Sequence, residues 1–218
     1  MLKIKELFST VPEYMTGLFD GAEYPWELLP TLRGFIDGLV SNPPRGFTEY
    51  APGVLVGENV TIADTATIIP PAVIGAKTEI RPGAYLRGYV LTGEGCVIGN
   101  SSEVKNSVLL DKVQIPHYNY VGDSILGNRS HMGAGSICSN LKNDGTNIVV
   151  RGDKDYATNL RKLGAILADG ANVGCGSVLN PGTVIGRNSD VYPLTSIRGV
   201  VPAESIVKSS GNIVKKRK

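Results

Sequence analysis

Three side chains that could do chemistry together stand at regular intervals along the chain. Lys105 follows Arg87 by 18 residues, and His117, whose imidazole can accept a proton, follows Lys105 by twelve. Two cations held at close range repel each other unless an anion lies between them, and a phosphate is the natural candidate. The alternative is that a neighbouring carboxylate such as Glu103 neutralises them on an exposed surface. Whether these side chains lie close together depends on the secondary structure that carries them.

The chain repeats itself every six residues. From Val56, nine of ten positions taken in steps of six are aliphatic, and glycine often follows them. The periodic residues are Val56, Ile62, Ile68, Ile74, Ile80, Leu86, Thr92, Ile98, Val104 and Leu110, and later Leu167, Val173, Leu179, Ile185, Val191 and Ile197. This period is neither helical nor a simple alternation, and it predicts an all-β fold, a parallel β-helix with one inward aliphatic side chain per hexapeptide. Three hexapeptides form one triangular coil, and the repeats predict about seven coils.

The phase of the repeat predicts which side chains face outward. Because Leu86 and Val104 point inward, Arg87 and Lys105 should face outward and stack on adjacent coils.

His117 is predicted to face outward as well, because Pro116 before it occupies an inward position. The imidazole lies two sides of the prism beyond Lys105, so the two side chains would meet only across an interface between prisms. The phase slips near Tyr120 and resumes at Leu126. The alternative is an ordinary surface histidine.

The other histidine and the cysteines predict little chemistry. His131 should face outward in a structural or peripheral role, Cys138 should lie in the core, and Cys175 should face outward without an activated thiolate. These cysteines and Cys96 are three in number and widely spaced, which fits neither a zinc knuckle nor a disulfide framework and favours a cytoplasmic protein. Two histidines exclude a three-histidine metal site, such as the zinc site of a carbonic anhydrase, so no metal is expected.

Composition excludes several further classes. There are 27 glycines and 13 prolines against an aromatic share of 6%, as expected for many short strands around a narrow core. A net charge of +2 gives little support to a nucleic-acid partner. No apolar run reaches the roughly 18 residues of a membrane span, and the start of the chain has no secretory apolar region.

Two segments interrupt the repeat. Residues 1–50 have no hexapeptide phase, and apolar residues at helical spacing after Pro25 predict a helical cap over the open end of the prism or against a neighbour. The β-helix should span 51–207, with charged residues 141–164 ejected as a loop. The basic residues of 208–218 predict a solvated tail, the alternative being a tail that binds anionic lipid or nucleic acid.

Three motifs carry a resemblance to a known family. Residues 99–107 read GNSSEVKNS, 116–123 read PHYNYVGD, and 132–140 read MGAGSICSN. Over about 54–207 the chain resembles the acetyltransferase domain of bifunctional glucosamine-1-phosphate acetyltransferase/N-acetylglucosamine-1-phosphate uridyltransferases, of the sugar-1-phosphate nucleotidylyltransferase family. Residues 159–166 are also similar to a segment of these relatives.

The resemblance implies a left-handed β-helix, a homotrimer with sites between subunits, and acetyl-CoA as co-substrate without a metal. It implies acetyl transfer to the amine of a glucosamine-1-phosphate-like amino sugar. His117 resembles the general base and Glu103 its supporting carboxylate. The residues that resemble the sugar-phosphate ligands are Arg87, Lys105, Tyr120 and Asn140. The residues that fall in the coenzyme A groove are Ala134 and Cys175.

Departures from the family pattern keep alternatives open. The nucleotidyltransferase domain is not expected in this chain. Gly88, His131 and Leu141 stand where the family usually has a proline, a sugar-binding asparagine and an aromatic residue, and a basic residue expected in the following loop has no match. The alternatives are an acyltransferase for a nucleotide-linked amino sugar and a non-catalytic assembly module that keeps the groove.

Overall fold

The computed structural model describes residues 2–217, which form a parallel β-helix with three sheets as its sides. Within these three sheets, only the first strand of sheet A and the last strand of sheet B pair antiparallel. Sheet A contains Thr48–Ala51, Val54–Val56, Ala72–Ile74, Val90–Thr92, Ser107–Leu109, Ile125–Leu126, Ala165–Leu167, Thr183–Ile185 and Val200–Val201. Sheet B contains Thr61–Ile62, Glu79–Ile80, Val97–Asn100, Gln114–His117, His131–Met132, Asn172–Val173, Asp190–Val191, Ser205–Ser209 and Asn212–Lys215. Sheet C contains Thr67–Ile69, Tyr85–Arg87, Glu103–Lys105, Tyr120–Gly122, Ile137–Cys138, Val178–Leu179 and Ser196–Ile197.

The predicted class, an all-β parallel helix of hexapeptide repeats, is confirmed, and the predicted number of coils is too low. Sheets A and B have nine strands each and sheet C has seven, so the helix is longer than the seven coils counted from the sequence. The undercount arises near the carboxyl terminus, where Val200–Val201 and Ser205–Ser209 add layers although they fall outside the six-residue phase.

The inward phase changes earlier than the sequence predicts. Leu109 and Ile115 point into the core, whereas Leu110 belongs to a second apolar cluster and Pro116 is half-buried. The cause is the corner between sheets C and A. In one coil this corner consists of residues 88 and 89. In the next coil it consists of Asn106 alone, at φ 46°, and the second coil therefore has 17 residues. The predictions that Leu110 and Pro116 face inward are therefore wrong.

The amino-terminal segment packs along the outer face of sheet A and not over the end of the helix. Its helices are Ile4–Leu7, Thr16–Phe19 and Leu28–Ser41, with 3₁₀ turns at Glu13–Met15 and Pro25–Glu27. Leu32 and Ile36 of the longest helix are fully buried. They share a cluster with the outward side chains of sheet A, namely Leu55, Val73, Leu91, Val108, Ile125, Ile166 and Val184. These aliphatic side chains explain why the segment covers a side of the prism.

The segment from 141 to 164 leaves the repeat as predicted but is partly packed. It contains the antiparallel hairpin Val149–Arg151 and Asp155–Ala157, and its side chains Ile148 and Val150 are fully buried. At the carboxyl terminus Asn212–Lys215 is a strand and not a solvated tail. Lys216 Nζ lies 2.8 Å from Asp190 Oδ2, while Lys218 lies outside the described residues. None of the helices in residues 2–217 has the length and apolarity needed to cross a bilayer.

Candidate functional site

The outer face of sheet C carries the predicted sugar-phosphate residues. Because Val104 pairs with Leu86, Arg87 and Lys105 follow at the same position in adjacent strands. Strands of one sheet lie about 4.8 Å apart, so the two cations are stacked as the phase predicted. Tyr120 aligns with Glu103 in the next strand, which adds a phenol to the same face.

Each cation of this pair has a carboxylate partner within the chain. Arg87 Nη1 donates to Glu103 Oε1 at 2.8 Å, and this hydrogen bond raises the pKa of the Arg87 guanidinium. Lys105 Nζ donates to Asp123 Oδ2 at 3.3 Å. Within one chain Glu103 therefore contacts Arg87, and no hydrogen bond in residues 2–217 joins it to His117. The role implied for Glu103 as the support of the base has no counterpart inside a single chain.

Asp123 is the centre of the polar network and was not among the predicted site residues. The residue is 5% exposed, and its carboxylate accepts hydrogen bonds from Asn106 Nδ2 at 2.8 Å and from Asn140 Nδ2 at 2.5 Å, besides the one from Lys105. Asn140 Nδ2 also donates to Tyr120 Oη at 3.2 Å. Asp123 thus joins three of the four predicted sugar-phosphate residues. The only sequence signal for it was its place at the end of the motif 116–123.

The short coils explain this stack. Asn106, Asp123 and Asn140 are spaced by 17 residues, so each lies over the next at the corner between sheets C and A. Burial raises the pKa of the nearby Tyr120 phenol, and the charges of Glu103 and Asp123 add to the effect. The phenol therefore stays protonated near neutral pH and can donate a hydrogen bond.

A second corner, between sheets B and C, collects the predicted base and the predicted coenzyme A groove. Gly135 N donates to His117 O at 3.0 Å, and Gly176 N donates to Ala134 O at 2.8 Å. His117, Ala134 and Cys175 therefore occupy equivalent positions in consecutive coils, and all three are exposed. We call this line of residues the His117 edge.

The His117 edge leaves hydrogen-bonding groups available. Within residues 2–217, the His117 imidazole and the backbone N–H groups of Ala134 and Cys175 make no hydrogen bond. Two large side chains beside the edge are exposed, Tyr118 at 65% and Leu194 at 85%. The edge combines a proton acceptor, free amide donors and apolar surface.

The two groups of residues stay apart within one chain. No hydrogen bond or ion pair in residues 2–217 joins His117 to Arg87 or Lys105, as expected from their separation around the prism. His131 lies on sheet B, where its Nδ1 is 2.9 Å from Asn172 Oδ1.

Cys138 lies in the core and Cys175 faces outward, as predicted. Cys96 and Cys138 are fully buried, and burial raises the pKa of each thiol to about 12, whereas Cys175 is exposed. Among the described residues, no group of three or more potential ligands could hold a metal ion.

Comparisons with known proteins show what this chain is similar to. Residues 68–155 match the GMPPB C-terminal domain. The chain is 29% identical over 203 residues to the bifunctional protein GlmU of Methanococcus maripaludis strain C5, which covers 92% of this chain and 49% of that protein. It is 33% identical over 174 residues to a bifunctional sugar-1-phosphate nucleotidylyltransferase/acetyltransferase of Sulfurisphaera tokodaii, which covers 78% and 43%.

Among solved structures, a UDP-N-acetylglucosamine acyltransferase from Campylobacter jejuni is 13% identical, with a TM-score of 0.49 over 72% of this chain and 68% of that one. The chain spans about half the length of the curated relatives it matches. The fold and the curated relatives define the class, a hexapeptide-repeat β-helix domain. The resemblance to the acetyltransferase half of the bifunctional sugar-1-phosphate nucleotidylyltransferase/acetyltransferases is thereby confirmed.

Proposed function

We propose that the chain is an acetyl-CoA-dependent N-acetyltransferase for an amino-sugar 1-phosphate and that its complete site forms between the subunits of a homotrimer. The observation that carries the proposal is the stack of Arg87 and Lys105 on sheet C beside the Asp123 network. Cations in this arrangement suit a phosphate monoester, which accepts several charge-assisted hydrogen bonds. The relatedness to bifunctional proteins with an acetyltransferase half supports the reaction class.

Two further residues would orient the sugar. The Tyr120 hydroxyl and the Asn140 amide lie one and two coils beyond Lys105 on the same face. A phosphate between Arg87 and Lys105 places a sugar ring against them, and binding at both ends fixes the direction of the amine. Glu103 would release part of its contact with Arg87 when the phosphate binds.

The His117 edge would supply the chemistry from a neighbouring subunit. Acetyl-CoA would lie along Ala134 and Cys175 with its thioester near His117. The amine nitrogen attacks the thioester carbonyl while His117 takes a proton from the nitrogen. The resulting oxyanion then collapses, and the carbon–sulfur bond breaks to release coenzyme A. The free N–H of Ala134 is the candidate donor to the oxyanion.

The first test measures thiol release from acetyl-CoA with a panel of amino-sugar 1-phosphates and nucleotide-linked amino sugars. We expect sugar phosphates to be the better substrates, and His117→Ala to lower kcat by about 10²–10⁴-fold. The matched control is His131→Ala, the other histidine, which should keep the wild-type pH dependence of kcat. Undiminished turnover in His117→Ala would refute the role of the base, and faster turnover of nucleotide-linked sugars would favour the alternative substrate class.

A mixing experiment tests the site between subunits. His117→Ala and Arg87→Ala/Lys105→Ala each remove one half of the site. When the two inactive proteins are unfolded and refolded together, mixed trimers contain some interfaces with both halves intact, so activity should return. If activity stays absent in a mixture that forms stable trimers, the two halves do not meet across subunits.

A further inference from the structure

A cavity of about 350 Å³ lies between the 141–164 segment and the later coils of sheet C. Three of its lining residues are cationic, namely Lys142, Arg151 and Arg198, and Asn180 adds an amide. Arg151 comes from the hairpin, whereas Asn180 and Arg198 directly follow strands of sheet C. The cavity is therefore formed where the interruption of the repeat folds back on the regular helix. We call it the loop cavity.

The loop cavity carries an excess of positive charge. Asp144 is its only anionic lining residue, and it already accepts hydrogen bonds from Thr146 N at 2.9 Å and Thr146 Oγ1 at 2.8 Å. Asp155 lines a smaller recess beside the loop cavity. When Asp144 and Asp155 are both counted against the three cations, one positive charge remains in excess. Within residues 2–217, the guanidinium groups of Arg151 and Arg198 form no ion pair or hydrogen bond.

The loop cavity is distinct from the sugar-phosphate network. Ile197 aligns with Val104 through the intervening strands of sheet C, so Arg198 occupies the same column as Lys105, four layers further along. Four strand spacings correspond to about 19 Å. No side chain lines both places, so a phosphate held by Lys105 does not neutralise Arg198.

We propose that the loop cavity binds the diphosphate of a nucleotide. Two exposed guanidinium groups without partners suit two neighbouring phosphate groups, because each can donate two parallel hydrogen bonds to phosphate oxygens. The volume lies in the range of small-molecule sites, about 300–1,000 Å³, and exceeds the need of one phosphate. Coenzyme A and nucleoside diphosphates both contain this group. The proposal does not depend on acetyl transfer, because it rests only on the cavity and its charge.

The test is calorimetry on the full-length chain with inorganic pyrophosphate, UDP and coenzyme A as probes. Arg87→Ala serves as the parent protein, because it removes one of the two cations of the sugar-phosphate network and leaves the buried Lys105–Asp123 pair intact. We expect binding at one site per chain and a loss of at least tenfold in affinity for Arg151→Ala/Arg198→Ala in that parent. Stronger binding of UDP than of coenzyme A assigns the site to a nucleoside diphosphate, and the reverse assigns it to the nucleotide part of the acyl donor.

The matched control is Lys154→Ala, which removes one positive charge from the tip of the same hairpin without touching the cavity lining. It should change the affinity by less than twofold. Because Arg151 and Arg198 are exposed, their replacement should leave the melting temperature unchanged, which separates lost binding from misfolding. Equal binding by the cavity variant, or no binding of any probe by the parent, would overturn the proposal.

Discussion

Replacement of Asp123 by asparagine tests the network at the sheet C corner. The substitution keeps the shape of the side chain but removes the negative charge. It leaves Lys105 without its counterion, and it places an amide against the Asn106 and Asn140 amides, which both donate to the present carboxylate. The asparagine side chain has one acceptor oxygen, whereas both oxygens of the Asp123 carboxylate accept hydrogen bonds.

The expected loss in the free energy of unfolding follows from the burial of the Lys105–Asp123 pair. The Lys105 and Asp123 side chains are 17% and 7% exposed. Removal of one partner of a buried pair costs about 3–5 kcal/mol, because the other charge stays buried without compensation. A loss of about 3 kcal/mol lowers the melting temperature of a domain of this size by roughly 6–12 °C.

The matched control is Glu103→Gln, which removes the same charge from the neighbouring pair. The Arg87 and Glu103 side chains are 50% and 29% exposed, and an exposed ion pair contributes about 0–1 kcal/mol. Urea unfolding at fixed chain concentration should therefore give a large shift in midpoint for Asp123→Asn and a small one for Glu103→Gln. Equal shifts, or a loss below about 1 kcal/mol for Asp123→Asn, would refute the argument from burial.

Two other predictions concern the cysteines and the glycines. At pH 8 an aromatic disulfide reagent should modify only Cys175 in the folded chain, because burial raises the pKa of Cys96 and Cys138 to about 12, and all three should react in denaturant. Rapid reaction of a second thiol in the folded chain would contradict the packing of the core. Gly34→Ala should stabilise the chain by about 1 kcal/mol, since no described atom lies within 4 Å of the added carbon in its helix. Gly99→Ala should destabilise it by about 3 kcal/mol, since its carbon would overlap the Pro116 carbonyl, and similar unfolding midpoints for the two variants would refute the contrast.

The fold could be predicted from the sequence because one physical constraint repeats. Each coil needs an aliphatic side chain at the same inward position, and residues such as Leu86 and Val104 meet it at constant spacing. The position of the amino-terminal segment could not be predicted in this way. It depends on the outward side chains of sheet A, such as Leu55, Val73 and Leu91, which recur only once per coil and lie outside the six-residue inward pattern.

The candidate site could be predicted in part, for a similar reason. Arg87 and Lys105 were placed correctly because the repeat is regular between them. Asp123 was missed because its role depends on hydrogen bonds from different coils, and the six-residue step no longer predicts which residues lie over one another once a corner shortens.

The shortened corners that break the repeat also build the polar network. A corner of one residue at Asn106 and again at Asp123, with φ of 46° and 48°, brings polar side chains over one another at intervals of 17 residues. A two-residue corner in these coils would shift Asp123 away from Asn106 and Asn140. Lys105 would then lose the carboxylate that stabilises its charge in a site where it is mostly buried. The irregularity that defeats prediction from the repeat is therefore the feature that concentrates polar chemistry on an otherwise aliphatic scaffold.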